Sequence, residues 1–235
     1  MIKYPKTQLF LCFTSLFLLC SNVVYALDLF GDGEGGDQIW SLGLNQYIKF
    51  ADLDNDRFGN NDHPVELVSN DIKKALEALE YTEKSLLTSN EEVKPVFTVK
   101  HIELLGENLA IGLRKARPDQ DIIFVLEKVE NKLLGLKDRS FLAGRAFYQA
   151  GKLNIILGDY EYFRSEAFEK TYDPSGRGNV PYNFNFGSRT RASKAFDGSA
   201  MVDVPGVENK QLDSFRYDWF VIDVRLAADA LVAKQ

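Results

Sequence analysis

A chain of 235 residues with 45% hydrophobic and 26% charged side chains has enough apolar material for a real core. That excludes wholesale disorder, a collagen-like repeat and a multi-span membrane protein. With 28 Lys+Arg against 34 Asp+Glu the net charge is −6, so gripping nucleic-acid phosphates is not its main business.

Residues 1–26 read as a secretory signal: Lys3 and Lys6, an apolar run over 9–20, then Ser21, Asn22 and the small-residue end Val24-Tyr25-Ala26. Cleavage is expected after Ala26. Two rivals stand beside this reading. A retained spanning helix would be short and broken by Ser21 and Asn22. A lipoprotein acylated at Cys20 would carry the bulky Leu19 where small side chains are wanted. Removing the leader takes away two lysines, no acid and both cysteines, Cys12 and Cys20, leaving 209 residues and a net charge of −8. Such a chain has no disulfide and no thiolate nucleophile. None of the fourteen asparagines of the full sequence sits in an N-x-Ser/Thr acceptor, which favours a bacterial export product in a Gram-negative periplasm or outside the cell. No stable membrane anchor is expected once the signal is cut.

Residues 27–39, with Gly31, Gly33, Gly35 and Gly36 among Asp32, Glu34 and Asp37, read as a flexible acidic tether. Residues 40–235 then read as a single domain. Gln46-Tyr47-Ile48-Lys49-Phe50 alternates as a strand does, with Tyr47 and Lys49 opposite Ile48 and Phe50. A polar loop runs from Asp52 to His63-Pro64. Ser69-Asn70-Asp71 is placed to cap a helix with Ile72, Leu76 and Leu79 on its stripe, expected to end near residues 82–87. Thr98 caps a second helix, with Ile102, Leu105, Leu109 and Leu113 as stripe, Arg114, Lys115 and Arg117 at its negative end and Pro118 as stop.

Ile122-Ile123-Phe124-Val125-Leu126 is apolar on both faces and reads as an inner strand. Two further apolar runs, 141–148 and 153–157, are split by Gln149-Ala150-Gly151-Lys152, where Gly151 can take the positive φ of a tight hairpin. The stretch 158–213 is aromatic, glycine-bearing and irregular. Phe215 opens a last strand pattern, and Leu226, Ala230 and Val232 suit a short terminal helix. The expected fold is α+β: an antiparallel sheet, a meander with its hairpin near 141–157, packed by two amphipathic helices, with a long aromatic-rich segment before a C-terminal strand.

Chemistry has few candidates. His63 lies near Asp52, Asp54, Asp56 and Asp62, yet no serine sits in a G-x-S-x-G turn, so a turn-supporting role is favoured; His101 in the second helix reads as structural. Asp52, Asp54 and Asp56 have calcium-loop spacing, but Arg57 replaces the required glycine and His63 the bidentate glutamate. No phosphate-cradling or dinucleotide motif occurs, and neither a cofactor nor a metal is expected. The most suggestive patch alternates rings and forks: Arg177, Tyr182, Phe184, Phe186, Arg189, Arg191 and Lys194. Such a patch can bind a carboxylate, a glycan or an envelope protein. The competing role is burial, with the aromatics plugging the open end of the sheet.

Asn61-Asp62-His63-Pro64, Val96-Phe97-Thr98, Ala116-Arg117-Pro118-Asp119-Gln120-Asp121, Gly144-Arg145-Ala146-Phe147-Tyr148 with Leu153-Asn154-Ile155-Ile156, and Gly187-Ser188-Arg189 resemble stretches of exported proteobacterial proteins of unknown function. The resemblance implies a bacterial envelope and brings no activity, ligand or catalytic residue. The expected function is a non-catalytic binding or assembly factor of the envelope. The alternative is a hydrolase of a cell-wall polymer using carboxylates such as Glu161 with Glu166 or Asp173.

Overall fold

The computed structural model describes residues 37–84, 91–131, 137–175, 180–196 and 200–234. The segment read as a secretory signal, with Cys12 and Cys20, most of the segment read as a tether, and Arg177 lie outside them. A hairpin of β1 (Gln38–Ser41) and β2 (Tyr47–Asp52) leads through a short 3-10 turn, Asp56–Phe58, to α1 (Ser69–Glu77). Strands β3 (Glu80–Lys84) and β4 (Glu91–Pro95) precede α2 (Val99–Lys115). The meander follows as β5 (Gln120–Asn131), β6 (Lys137–Gln149) and β7 (Lys152–Leu157). After it come β8 (Tyr162–Phe163), α3 (Glu166–Tyr172), β9 (Ala200–Met201), β10 (Val207–Gln211), β11 (Phe215–Ile222) and α4 (Val224–Lys234).

The fold is α+β, with an eight-stranded open sheet in the order β1-β2-β5-β6-β7-β11-β10 and β8 attached to β6. Every pair in it is antiparallel. Strands β4, β3 and β9 make a second, three-stranded sheet. The expected inner strand, β5, lies between β2 and β6. At the hairpin Gln149 pairs with Lys152, and Ala150 and Gly151 take φ 53° and 74°. A two-residue turn of this hand needs positive φ at both positions, which glycine meets without strain.

The strand period of two divides the large sheet into two faces. On one, Ile48, Ile122, Phe124, Leu126, Ile155 and Phe220 meet the stripes of α1 and α2, led by Ile72, Leu76, Leu105 and Leu109, all fully buried. Among the described residues, the apolar clusters of the other face contain no α-helix residue. Val125, Phe141 and Ala143 pack there under Phe184, and Phe147, Ile156 and Trp219 pack with Phe58 and Leu212. Tyr182, Phe184, Phe186 and Leu212 of the irregular stretch after β7 therefore lie on this sheet face, which they share with Phe58, rather than at an open end.

Two local expectations are corrected. Helix α1 ends at Glu77, and the Glu80-Tyr81-Thr82-Glu83-Lys84 segment is a strand because β4 pairs with it residue for residue. Its N-cap is Val68, without a side-chain bond, so Ser69 is already helical. Thr98 does cap α2, its Oγ1 accepting from His101 N at 3.2 Å. The terminal helix runs from Val224 to Lys234 and buries Ala227 and Ala228, leaving Leu226 and Val232 exposed.

Candidate functional site

The aromatic-basic stretch does not stay together. Arg189 has no exposed surface, and its guanidinium lies on the Phe147 ring with Cζ 3.7 Å from the centroid. Its Nη2 donates to Asn61 Oδ1 at 2.9 Å and to Asp121 Oδ1. Arg145, from β6, bonds the other oxygen of Asp121 at 2.7 Å, and Asp54 Oδ1 stands 3.4 Å from Arg145 and 3.6 Å from Arg189. Two buried cations therefore meet two carboxylates, the arrangement that makes burial of charge tolerable.

The 188–191 turn is held from below by Arg216, which donates to the carbonyls of Ser188 and Arg191 at 2.8 and 3.1 Å and is itself fixed by Asp218 at 2.8 Å. The Arg191 side chain is exposed. Asp54, considered for a calcium loop, is spent here, its Oδ2 accepting from Arg189 N at 2.8 Å. Among the described residues no three His, Cys, Asp or Glu side chains converge as metal ligands do. His63 is buried, and its Nε2 accepts from Tyr148 N at 2.9 Å; burial lowers its pKa.

Tyr182 and Phe184 do come together, as the inner edge of an aromatic shelf. Phe184 stacks on Phe141 at 5.1 Å, and Tyr182 meets Phe141, Phe168 and Tyr162 at 5.4, 5.8 and 6.0 Å. The Tyr182 hydroxyl donates to Glu169 at 2.7 Å, and Glu169 is also held by Arg164. Phe186 lies farther along, 6.3 Å from Tyr47. Phe163, Phe168 and Tyr172 are 59%, 46% and 57% exposed, so the shelf offers ring faces to solvent.

Beside the shelf, across β8, is a cleft of about 440 Å³ between β4, the first turn of α2 and strands β5 and β6. Sequence reasoning did not assemble it, because Tyr81, Lys94, His101, Lys128 and Tyr160 come from five separate segments. The one local signal was the dense run Tyr160-Glu161-Tyr162-Phe163 after Gly158. In the cleft the Tyr160 hydroxyl bonds that of Tyr81 at 3.3 Å, and burial raises the pKa of both, so each is a neutral hydroxyl. His101 is 2% exposed; its Nε2 lies 3.1 Å from the Glu127 carbonyl and its Nδ1 has no hydrogen-bond partner. A carbonyl only accepts, so Nε2 carries the proton and Nδ1 presents a lone pair. Burial drives its pKa down to about 4, which keeps the imidazole neutral.

Two carboxylates line the cleft, Glu83 engaged by Lys94 and Glu161 by Lys128 at 2.9 Å. Of the acids weighed for hydrolysis, Glu161 is thus at the cleft. Asp173 caps the end of α3, its Oδ1 accepting from Ser175 N at 3.0 Å, and the Glu166 side chain lies outside those described. A shallower recess of about 590 Å³ shares Tyr160 and Glu161 and reaches Lys194. No protein-family model, curated protein or solved structure matches this chain.

Proposed function

We propose that this chain is an exported cell-envelope protein that acts by binding, and that its ligand enters the cleft between α2 and β8. The leader pattern and the thiol-free remainder support export. The observation that carries the binding reading is the composition of the cleft. Its carboxylates are each engaged by a lysine, its histidine is neutral and already bonded to a backbone carbonyl, and Tyr81, Phe141, Tyr160 and Phe163 are among its lining residues. This furnishes recognition groups, whereas acid-base chemistry needs a titrating group presented to substrate.

A photo-crosslinker at position 163, beside the cleft and exposed, tests it in intact cells. One envelope polymer or protein captured from 163 and not from the exposed position Arg57 supports the proposal; equal capture from both sites removes it. A mature mass beginning after Ala26 in the periplasmic fraction supports the address, a mass carrying lipid on Cys20 moves the protein to a membrane face, and an intact Met1 product in the cytosol overturns export.

One observation favours the alternative, a hydrolase of a cell-wall polymer. Glu161 holds φ 53°, a conformation costly for a non-glycine residue and met more often at functional sites. On that reading Glu161→Gln abolishes release of polymer fragments; on the binding reading neither protein releases any.

A further inference from the structure

We infer that the cleft takes a neutral, hydroxyl-rich ligand, a saccharide unit, with the aromatic shelf beyond β8 carrying the next units of the same chain. The inference rests on the cleft being a binding site and deepens that reading. Three observations point to this chemistry. The first is charge: the cleft's four ionic side chains cancel in two pairs, Lys94 with Glu83 and Lys128 with Glu161. An anionic or cationic ligand would have to compete with the partner already beside each ion.

The second is the set of polar atoms left for recognition. When Tyr160 donates to Tyr81, the Tyr81 proton is free to donate onward. Ser140 adds a hydroxyl, and His101 Nδ1 adds an acceptor without a partner in a side chain that is almost wholly buried. Donors and acceptors of this neutral kind match hydroxyls, which both give and take hydrogen bonds. A carboxylate or phosphate brings acceptors alone, and the Nδ1 lone pair would repel them.

The third is shape. Phe163, 59% exposed, and Tyr160 are among the lining residues, and aromatic rings of this kind stack on the C–H face of a pyranose while its hydroxyls reach polar atoms nearby. At about 440 Å³ the cleft falls within the roughly 300–1,000 Å³ of small-molecule sites. Phe163 lies at the mouth next to Tyr162, which contacts Tyr182; Tyr182 contacts Phe168, and Phe168 contacts Tyr172, each pair 5.8 to 6.0 Å apart. These four rings offer further sugar units a surface beyond β8, in which Phe163 and Tyr162 are successive residues and point to opposite sides.

The test is nuclear magnetic resonance titration of the mature protein with three probes in turn: chitotetraose, inorganic phosphate and a neutral tripeptide. The expected result is shifts at His101 and Phe163 with chitotetraose, unchanged by added salt. Phe163→Ala, at an exposed position that keeps the fold, and Tyr160→Phe, which keeps the ring, should each weaken binding about tenfold. Tyr172→Ala should weaken chitotetraose binding more than chitobiose binding. Shifts at these residues from phosphate or the tripeptide alone overturn the saccharide assignment and leave the cleft as a binding site. No shift there from any probe overturns both.

Discussion

Arg189 and Arg191 stand two positions apart, share a residue type and differ wholly in surroundings, one sealed between Phe147 and Asp121 and the other in water. Replacing Arg189 with methionine leaves Asp121 with Arg145 as its remaining cation and should cost about 3 kcal/mol in urea unfolding, since a buried charge loses its partner. Arg191→Ala should change the same midpoint by about 0.5 kcal/mol or less. His101 makes a second prediction, for pH. Its folded pKa, about 4, lies below the ordinary value, so between about pH 6.5 and 4 the unfolded chain binds the extra proton. Stability is therefore whole above that window and drains through it on acidification, by up to about 3 kcal/mol from this group. His63, also lowered, adds in the same direction. His101→Gln should flatten the loss measured by urea titration from pH 7 to pH 4.

Among the elements, the uncapped strap over the second sheet face depends most on one close approach. A Cβ at Gly158 would stand 2.0 Å from the Asn185 carbonyl oxygen and 2.2 Å from Gly187 N, both backbone atoms with no room to retreat. Gly158→Ala should cost about 3 kcal/mol in thermal unfolding and open residues 183–189 to protease, because the strap must lift off Ile156. The β5-β6-β7 meander, the hairpin at Ala150-Gly151 and both helix stripes were legible because period and turn chemistry are local, whereas the rest of the strand order was not. The end of α1 was not. No glycine or proline follows Glu77, and what turns residues 80–84 into a strand is β4, a partner whose pairing no local pattern announces. The same holds for the site: Tyr182 and Phe184 were readable as aromatics near a surface, while the fate of Arg189 depended on Asp121 and Asp54, 68 and 135 residues away.

For the molecule as a whole, α1, α2 and α4 stand on one side of the sheet and the candidate ligand site opens beside the first turn of α2, where β8 joins β6. This division assigns α1, α2 and α4 to the core and leaves the irregular stretch to supply the shelf. If saccharide recognition is seated there, chitotetraose should raise the melting temperature of the wild type and, at the same concentration, that of Phe163→Ala by less, a difference that scanning fluorimetry reads directly.

The four interior ions carry a further consequence for how such a chain comes to be folded. Asp54 and Asp121 leave the ribosome, or any pore threaded from the amino end, well before Arg189 does, and Arg145 alone cannot satisfy both acids. Until the last third of the polypeptide has emerged, the first two thirds contain carboxylates that water still holds more tightly than protein can. Burying both acids beneath the second face is therefore costlier before Arg189 is present than after it joins Arg145.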